Sequence, residues 1–344
     1  MVERRAERPI LAIDLGGTQI RAALVTPDRT VNHRRAVPTA DEEGVEAVLR
    51  RIVGVAAAAR AEAADEGLPA PIGIGISSPG PLDPWRGVVR APPNLEGWRD
   101  IPLAPRVAAE LDLPTFLERD TNVAVMGEWR YGAASGTRNA IYITVSTGIG
   151  GGAILDGRPL VGTNGTAGEF GHITVELDGP RCGCGGIGHV EAIASGTALA
   201  RHGRTLVAEH PDSPLARLAA EEPEVDARLV AIAAKEGDER AAALLERAWV
   251  AVGALCASLV NALDPEVIVI GGAIAEHHPR LFDVIGLELE RRAFPILLDK
   301  VRIVPAALGG DVSLIGSLPI VNDRIDDPAY AAGSTPLQQG ASLS

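Results

Sequence analysis

Apolar residues along this chain fall into short solid runs and longer periodic ones, and the two kinds alternate. A solid run from Pro9 to Leu15 meets Gly16-Gly17, a second run follows to Val25, and a turn at Pro27-Asp28 leads into a third. This pattern predicts an antiparallel meander of strands. An Ala-rich stretch with helical spacing predicts a helix from about Asp41 to Asp65. A buried strand is expected over Pro71–Ser77, and a further strand near Thr115–Glu118, running into a helix over Asp120–Tyr131 that Asp120 is placed to cap. From Asn139 the opening pattern returns as strand, glycine turn and strand. Two Gly-Gly hairpins about 130 residues apart predict a duplicated domain. The stretch Val161–Gly188 has no period and is rich in glycine. Beyond it come helices, the longest over about Glu239–Leu263, then a buried strand over Glu266–Ile270 ending at Gly271-Gly272. A strand near Val301–Val304 and a helix near Asp311–Val321 close the pattern, and residues 325–344 read as a disordered tail.

With 46% hydrophobic and 22% charged residues the 344-residue chain can bury a real core, and with 3% aromatics that core must be aliphatic. The net charge of −13 argues against a phosphate backbone as partner, since the densest basic run is only Arg4, Arg5 and Arg8. Neither lysine, Lys235 or Lys300, follows a glycine, so an ordinary P-loop is excluded. Three cysteines, two of them one residue apart, are no secreted disulfide framework. The apolar stretch from Ala248 to Leu263 is broken by Gly and Asn and reads as a buried helix. The expectation is a soluble cytoplasmic protein with neither nucleic acid nor membrane as partner.

Four groups of residues carry chemistry. Asp14-Leu-Gly16-Gly17-Thr18 ends a buried strand in a turn whose N–H groups can approach an anion, with Asp14 placed for Mg²⁺; a plain tight hairpin is the competing reading. Ser146-Thr147-Gly148 opens a second such turn. It matches a dinucleotide fingerprint from Gly148 to Ala153, but strand rather than helix follows, so a Rossmann site is rejected and a second phosphate hairpin is preferred. Asp120 stands at a strand–helix junction, where a carboxylate serves either as a general base or as a cap. His172, Cys182, Cys184 and His189 form the inventory of a tetrahedral structural Zn²⁺ site, set against a reading as loop thiols and surface histidines.

In this order the motifs Asp14–Thr18, Ser78–Asp83, Pro92–Trp98, Asp120–Trp129, Ser146–Gly152, Gly165–His172, Cys182–Glu191 and Asp264–Gly272 resemble the ROK family of sugar kinases, open reading frames and repressors, most closely its bacterial glucokinase branch. The resemblance runs from about residue 9 to residue 320. It implies an α/β, actin-like (ribonuclease H-like), duplicated two-domain sugar kinase fold with an interdomain cleft. Residues 1–120 would form the small domain and 121–324 the large one, the last helix (about 311–321) returning to the small domain. It implies ATP-dependent phosphorylation of a hexose, glucose first, with N-acetylmannosamine or fructose as alternatives and Asp120 as the general base. Asp14, Gly16, Gly17, Thr18, Thr147 and Gly148 would meet the phosphates and Mg²⁺, and Gly271 and Gly272 the nucleoside. Gly80, Asn94, Asn122, Glu169, His172 and Glu191 would lie on the sugar side. Relatives form homodimers or homotetramers.

Two positions depart from the family pattern. His189 stands where a third zinc-binding Cys is usual. Arg119 stands where the family carries a sugar-contacting Asn; it points out of the cleft, changes which sugar fits, or pairs with Asp120. Repressors of the family carry a helix-turn-helix ahead of the first hairpin. About nine residues precede the first strand in this sequence, so catalysis is expected over sensing.

Overall fold

The structure, a computed structural model, describes residues 8–92 and 94–331. Arg4, Arg5, Pro93 and residues 332–344 lie outside the described residues. The chain divides into two compact units, the first taking the described residues up to Ser135, Val161–Ala167 and those from Leu308, the second Gly136–Leu160 and Gly168–Ala307.

The first unit opens with β1 (Ile10–Leu15), β2 (Gln19–Val25), β3 (Val31–Pro38) and helix α1 (Val45–Asp65). Then come β4 (Ile74–Ser78), the short pair β5 (Leu82–Asp83) and β6 (Val88–Val89), helix α2 (Leu103–Leu111), β7 (Thr115–Arg119) and α3 (Asp120–Tyr131). The second unit runs β8 (Ala140–Val145), β9 (Ile149–Leu155) and β10 (Arg158–Pro159) into the irregular 161–188 stretch. Helices α4 (Glu191–Ala194), α5 (Gly196–Glu209), α6 (Pro214–Ala219), α7 (Ala227–Lys235) and α8 (Glu239–Leu263) follow. It closes with β11 (Val267–Gly271), α9 (Ala273–His277), α10 (Arg280–Arg292) and β12 (Arg302–Pro305), after which α11 (Val312–Arg324) returns to the first unit.

The two five-stranded sheets share one topology: β3-β2-β1-β4-β7 in the first unit and β10-β9-β8-β11-β12 in the second. In each, a glycine hairpin supplies an antiparallel pair, and two further strands join parallel to its first strand. The duplication expected from the two hairpins is therefore present in the fold. The central strand β1 is apolar on both faces up to Asp14 because α1 and α11 cover them. In β4 the alternation is still visible. Ile74 and Ile76 join the cluster that includes Val48 and Ile52 of α1, while Gly73 and Gly75 face α11. A Cβ on Gly75 would stand 2.8 Å from Ser317 Cβ, so glycine is what lets α11 lie so close to the sheet.

Helix α8 is apolar and long enough to cross a membrane, yet it forms the spine of the second unit's core, with Trp249, Leu255 and Val260 buried. Three expectations need correction. The helix expected from Asp41 starts at Val45, because Asp41–Glu43 forms a 3₁₀ turn and Gly44, at φ 86°, interrupts the chain. The first unit extends past residue 120 because α3 packs along α11. Residues 325–331 are ordered, with Pro328–Tyr330 in a 3₁₀ turn and the Tyr330 ring 4.2 Å from the Arg324 guanidinium.

Candidate active site and metal centre

Because β1, β4 and β7 run parallel, their C-terminal ends share one edge of the first sheet, where ligands meet parallel strands. That edge carries the Asp14–Thr18 turn, the loop holding Gly80 and the β7–α3 junction with Asp120.

The turn is closed by the Gly16 N–H donating to Gln19 O at 3.0 Å. A residue absent from the sequence reading braces it: fully buried Thr39 donates its N–H to Thr18 O (2.9 Å) and its hydroxyl to Gly16 O (2.6 Å). Across the hairpin, Arg21 pairs with Asp14 and donates from Nε (3.0 Å) and Nη2 (2.6 Å) to one carboxylate oxygen, Oδ2. Its third donor, Nη1, reaches Gly310 O at 2.8 Å. The guanidinium thus fixes the carboxylate while Oδ1 remains for a cation or its water. Asn94, expected on the sugar side, sits against this turn, its Nδ2 3.3 Å from where a Gly17 Cβ would stand.

Asp120 is the first residue of α3 and is exposed; its Oδ1 accepts from the Thr121 N–H at 2.7 Å, and the capping position belongs to Arg119. A carboxylate at a helix N-terminus is favoured in its ionised form. Asn122 is buried, its Nδ2 donating to Glu118 Oε1 (2.9 Å) and its Oδ1 accepting from Arg119 Nη2 (3.3 Å). Arg119 is buried as well, its Cδ 3.0 Å from the position of a Gly80 Cβ. Its guanidinium donates to the carbonyls of Thr166 and Ala167 and so holds the Val161–Ala167 segment on the first unit. The side chain is thus held inside the first unit and not in solvent.

In the second unit β8 and β11 are parallel, so the Ser146–Gly148 turn and Gly271-Gly272 share an edge in the same way. The start of α5 braces this turn: Gly196 N–H donates to Ser146 O (2.8 Å), and Thr197 gives its N–H (3.1 Å) and hydroxyl (2.9 Å) to Thr147 O. The Ile149 N–H donates to Glu191 Oε2 at 3.0 Å. Gly272, at φ 95°, lies where a Cβ would come within 2.7 Å of Thr144 Oγ1, which only glycine permits.

The ligand atoms of His172, Cys182, Cys184 and His189 all lie within 4.8 Å of one another. Cys182 Sγ is 3.8 Å from His172 Nδ1 and Cys184 Sγ is 3.3 Å from His189 Nδ1. Zn–S and Zn–N bonds of about 2.3 and 2.1 Å at tetrahedral angles put S and N about 3.6 Å apart, so the donor set fits zinc. Burial pushes the Cys182 thiol up, a preference that a coordinated dication reverses. His172 turns its other nitrogen, Nε2, to Glu169 Oε2 at 3.8 Å, and Glu191 Oε1 lies 3.8 Å from Cys182 Sγ. Glu191 therefore links the thiol cluster to the Gly148–Ile149 turn.

Comparison with known proteins identifies the family and the fold. The ROK family model matches residues 10–324. A glucokinase of Thermotoga maritima is 34% identical over 92% of this chain and 98% of its own length. The N-acetylmannosamine kinase of Salmonella typhimurium is 32% identical over 77% of this chain and 82% of its own. Among solved structures, a ROK hexokinase from Thermus thermophilus superposes with a TM-score of 0.76 at 36% identity, covering 90% of this chain and 96% of that one. A ROK family glucokinase from Streptomyces griseus, solved with glucose and AMPPNP, gives 0.75 at 31%, covering 91% and 98%. The duplicated α/β fold is the actin-like sugar kinase fold of these structures, and by sequence as by fold the chain belongs to the ROK family.

Proposed function

We propose that this protein is an ATP-dependent hexose kinase that transfers the γ-phosphoryl group of MgATP to a hexose hydroxyl, with glucose the acceptor to test first. The observation that carries the reading is the shared sheet edge of the first unit. It carries both a carboxylate at a helix N-terminus, Asp120, and the glycine turn that runs from Asp14 to Thr18.

Phosphoryl transfer asks the protein mainly for positioning and charge stabilisation. Asp120 accepts the proton of the attacking hydroxyl as the O–P bond forms and the bond to ADP breaks. The N–H groups of the Gly16–Thr18 and Thr147–Gly148 turns serve the phosphates, Asp14 Oδ1 serves Mg²⁺, and Gly271-Gly272 serve the nucleoside. Gly80 and Asn94 of the first unit and Glu169, His172 and Glu191 of the second are the residues assigned to the sugar in this reading. Asn122 acts chiefly by holding Arg119, since both ends of its amide are engaged.

N-acetylmannosamine is the second acceptor. The likeness to the Salmonella kinase is the reason to test it, and Arg119, whose buried side-chain stem packs at Gly80 where the family has a smaller amide, is a reason to test more than one sugar. Zn²⁺ held by His172, Cys182, Cys184 and His189 would fix the 172–189 loop and supply no chemistry to the transfer. The test is hexose-dependent ADP release from MgATP across a panel holding both sugars. Turnover on one hexose names the acceptor, and no turnover on any sugar overturns the proposal.

A further inference from the structure

Asp120 opens its helix directly after a strand, so its carboxylate is placed by the turn on which it stands, and that turn hangs on a buried acid the reaction does not use. Glu118 is 1% exposed. Its side chain folds back so that one oxygen, Oε1, accepts the Arg119 backbone N–H at 2.9 Å and the Asn122 Nδ2 at 2.9 Å. The same oxygen thereby grips the residue before Asp120 and the residue two beyond it.

A carboxylate so deeply buried is costly unless both oxygens are engaged. The second, Oε2, accepts from Arg324 Nη2 at the end of α11. Arg324 is itself 7% exposed, gives Nη1 to Leu117 O at 3.3 Å, and is covered by the Tyr330 ring. One chain of contacts therefore runs from Tyr330 through Arg324 and Glu118 to the ends of the turn that presents Asp120. All of it lies within the first unit.

We infer that Glu118 is the positioning residue of the general base: its Oε1 brackets Asp120, and the Arg324–Tyr330 pair, holding its other oxygen, keeps the carboxylate aimed. The inference rests on Asp120 being the base. It separates two roles for Glu118 that a single deletion would confuse, charge balance for Arg324 and the bracket around Asp120.

Two double variants part these roles, because replacing both members of a buried ion pair is often well tolerated. Glu118→Gln with Arg324→Met removes the charges and keeps an oxygen to accept from residues 119 and 122. Glu118→Leu with Arg324→Met removes the charges and the bracket. The first is expected to keep kcat within about threefold of the parent. The second should lose about 100-fold in kcat with KM for ATP unchanged and Tm matched to the first, the scale of a misplacement near 1 Å.

Crystal structures read the same difference without turnover: the Asp120 carboxylate superposes on the parent in the Gln variant and moves in the Leu variant. Equal kcat in the two doubles, or an unmoved Asp120 in both, overturns the inference. Should the Leu variant not fold, hydrogen exchange at the Arg119 amide decides in the Gln variant. Parent-like protection is expected, and fast exchange overturns the bracket. A parent protein inactive on every hexose defeats the proposed function alone, because the structural and exchange measurements still judge the bracket.

Discussion

The two glycine hairpins have the same place in the same sheet topology, yet different chemistry is built around them. The pairs that close them correspond, Leu15 with Ile20 and Val145 with Ile149. One step back, the first hairpin holds Asp14 opposite Arg21, and the second holds Thr144 opposite Gly150. Only the first of these pairs therefore includes a carboxylate, and the second has a hydroxyl facing a glycine. The bracing differs too. A buried hydroxyl, Thr39, supports the first turn, whereas the second leans on the start of α5 and on Glu191, which also meets Cys182. The fold repeats one backbone device with different neighbours: an Asp–Arg pair at the first turn, and at the second a glutamate that also meets the thiol–histidine cluster.

The largest expected effect sharpens the charge difference. Asp14→Asn should lower kcat/KM about 10³-fold and raise the Mg²⁺ concentration needed, while Thr147→Ala should cost about tenfold. Equal losses in steady-state assays would erase the division. Next comes the zinc proposed for the thiol–histidine cluster. Stripping it with a chelator, or Cys184→Ser, should raise the sugar KM about tenfold and speed amide exchange at Ile149 while leaving Gly16 unchanged. Exchange rising equally in both turns would show that Glu191 transmits nothing.

Thr39→Val probes the other brace. Leaving Gly16 O without its donor should cost about 1–3 kcal/mol in urea unfolding, with the loss in exchange protection confined to the first hairpin. Smallest is the Arg247–Glu176 pair, which ties the 174–189 loop to α8 through Nε (3.0 Å) and Nη2 (2.6 Å). The Arg247 hydrogen bond holds the Glu176 carboxyl below its ordinary value. A depressed acid stabilises the fold above its unfolded pKa, and that stability is lost as pH falls through the folded one. Arg247→Ala should therefore cost at most about 1 kcal/mol at pH 7 and nothing once Glu176 is protonated in both states, as Tm measured against pH will show.

What the sequence revealed follows from distance along the chain. The clustering of the two thiols and two imidazoles was legible because all four lie within eighteen residues, from His172 to His189. The hairpins were legible because glycine marks a turn locally, and the α3 start because a strand period stops at Asp120. Thr39 gave no signal, since its partners lie across a sheet edge. Glu118 and Arg324 stand 206 positions apart, and nothing local marks either as buried. The unit boundary was missed for the same reason: α3 belongs with α11, which arrives almost at the end of the chain. Residues 325–331 read as tail because a polar, Ala-rich stretch hides one ring that packs on a guanidinium.

The most direct test of the proposed transfer is the rate of ADP release from MgATP, with and without glucose, in the parent and in Asp120→Asn, alongside glucose binding by calorimetry. The account predicts sugar-dependent turnover in the parent that falls at least about 100-fold in the variant, with sugar affinity kept within a few fold. A variant that turns over as fast as the parent would contradict it.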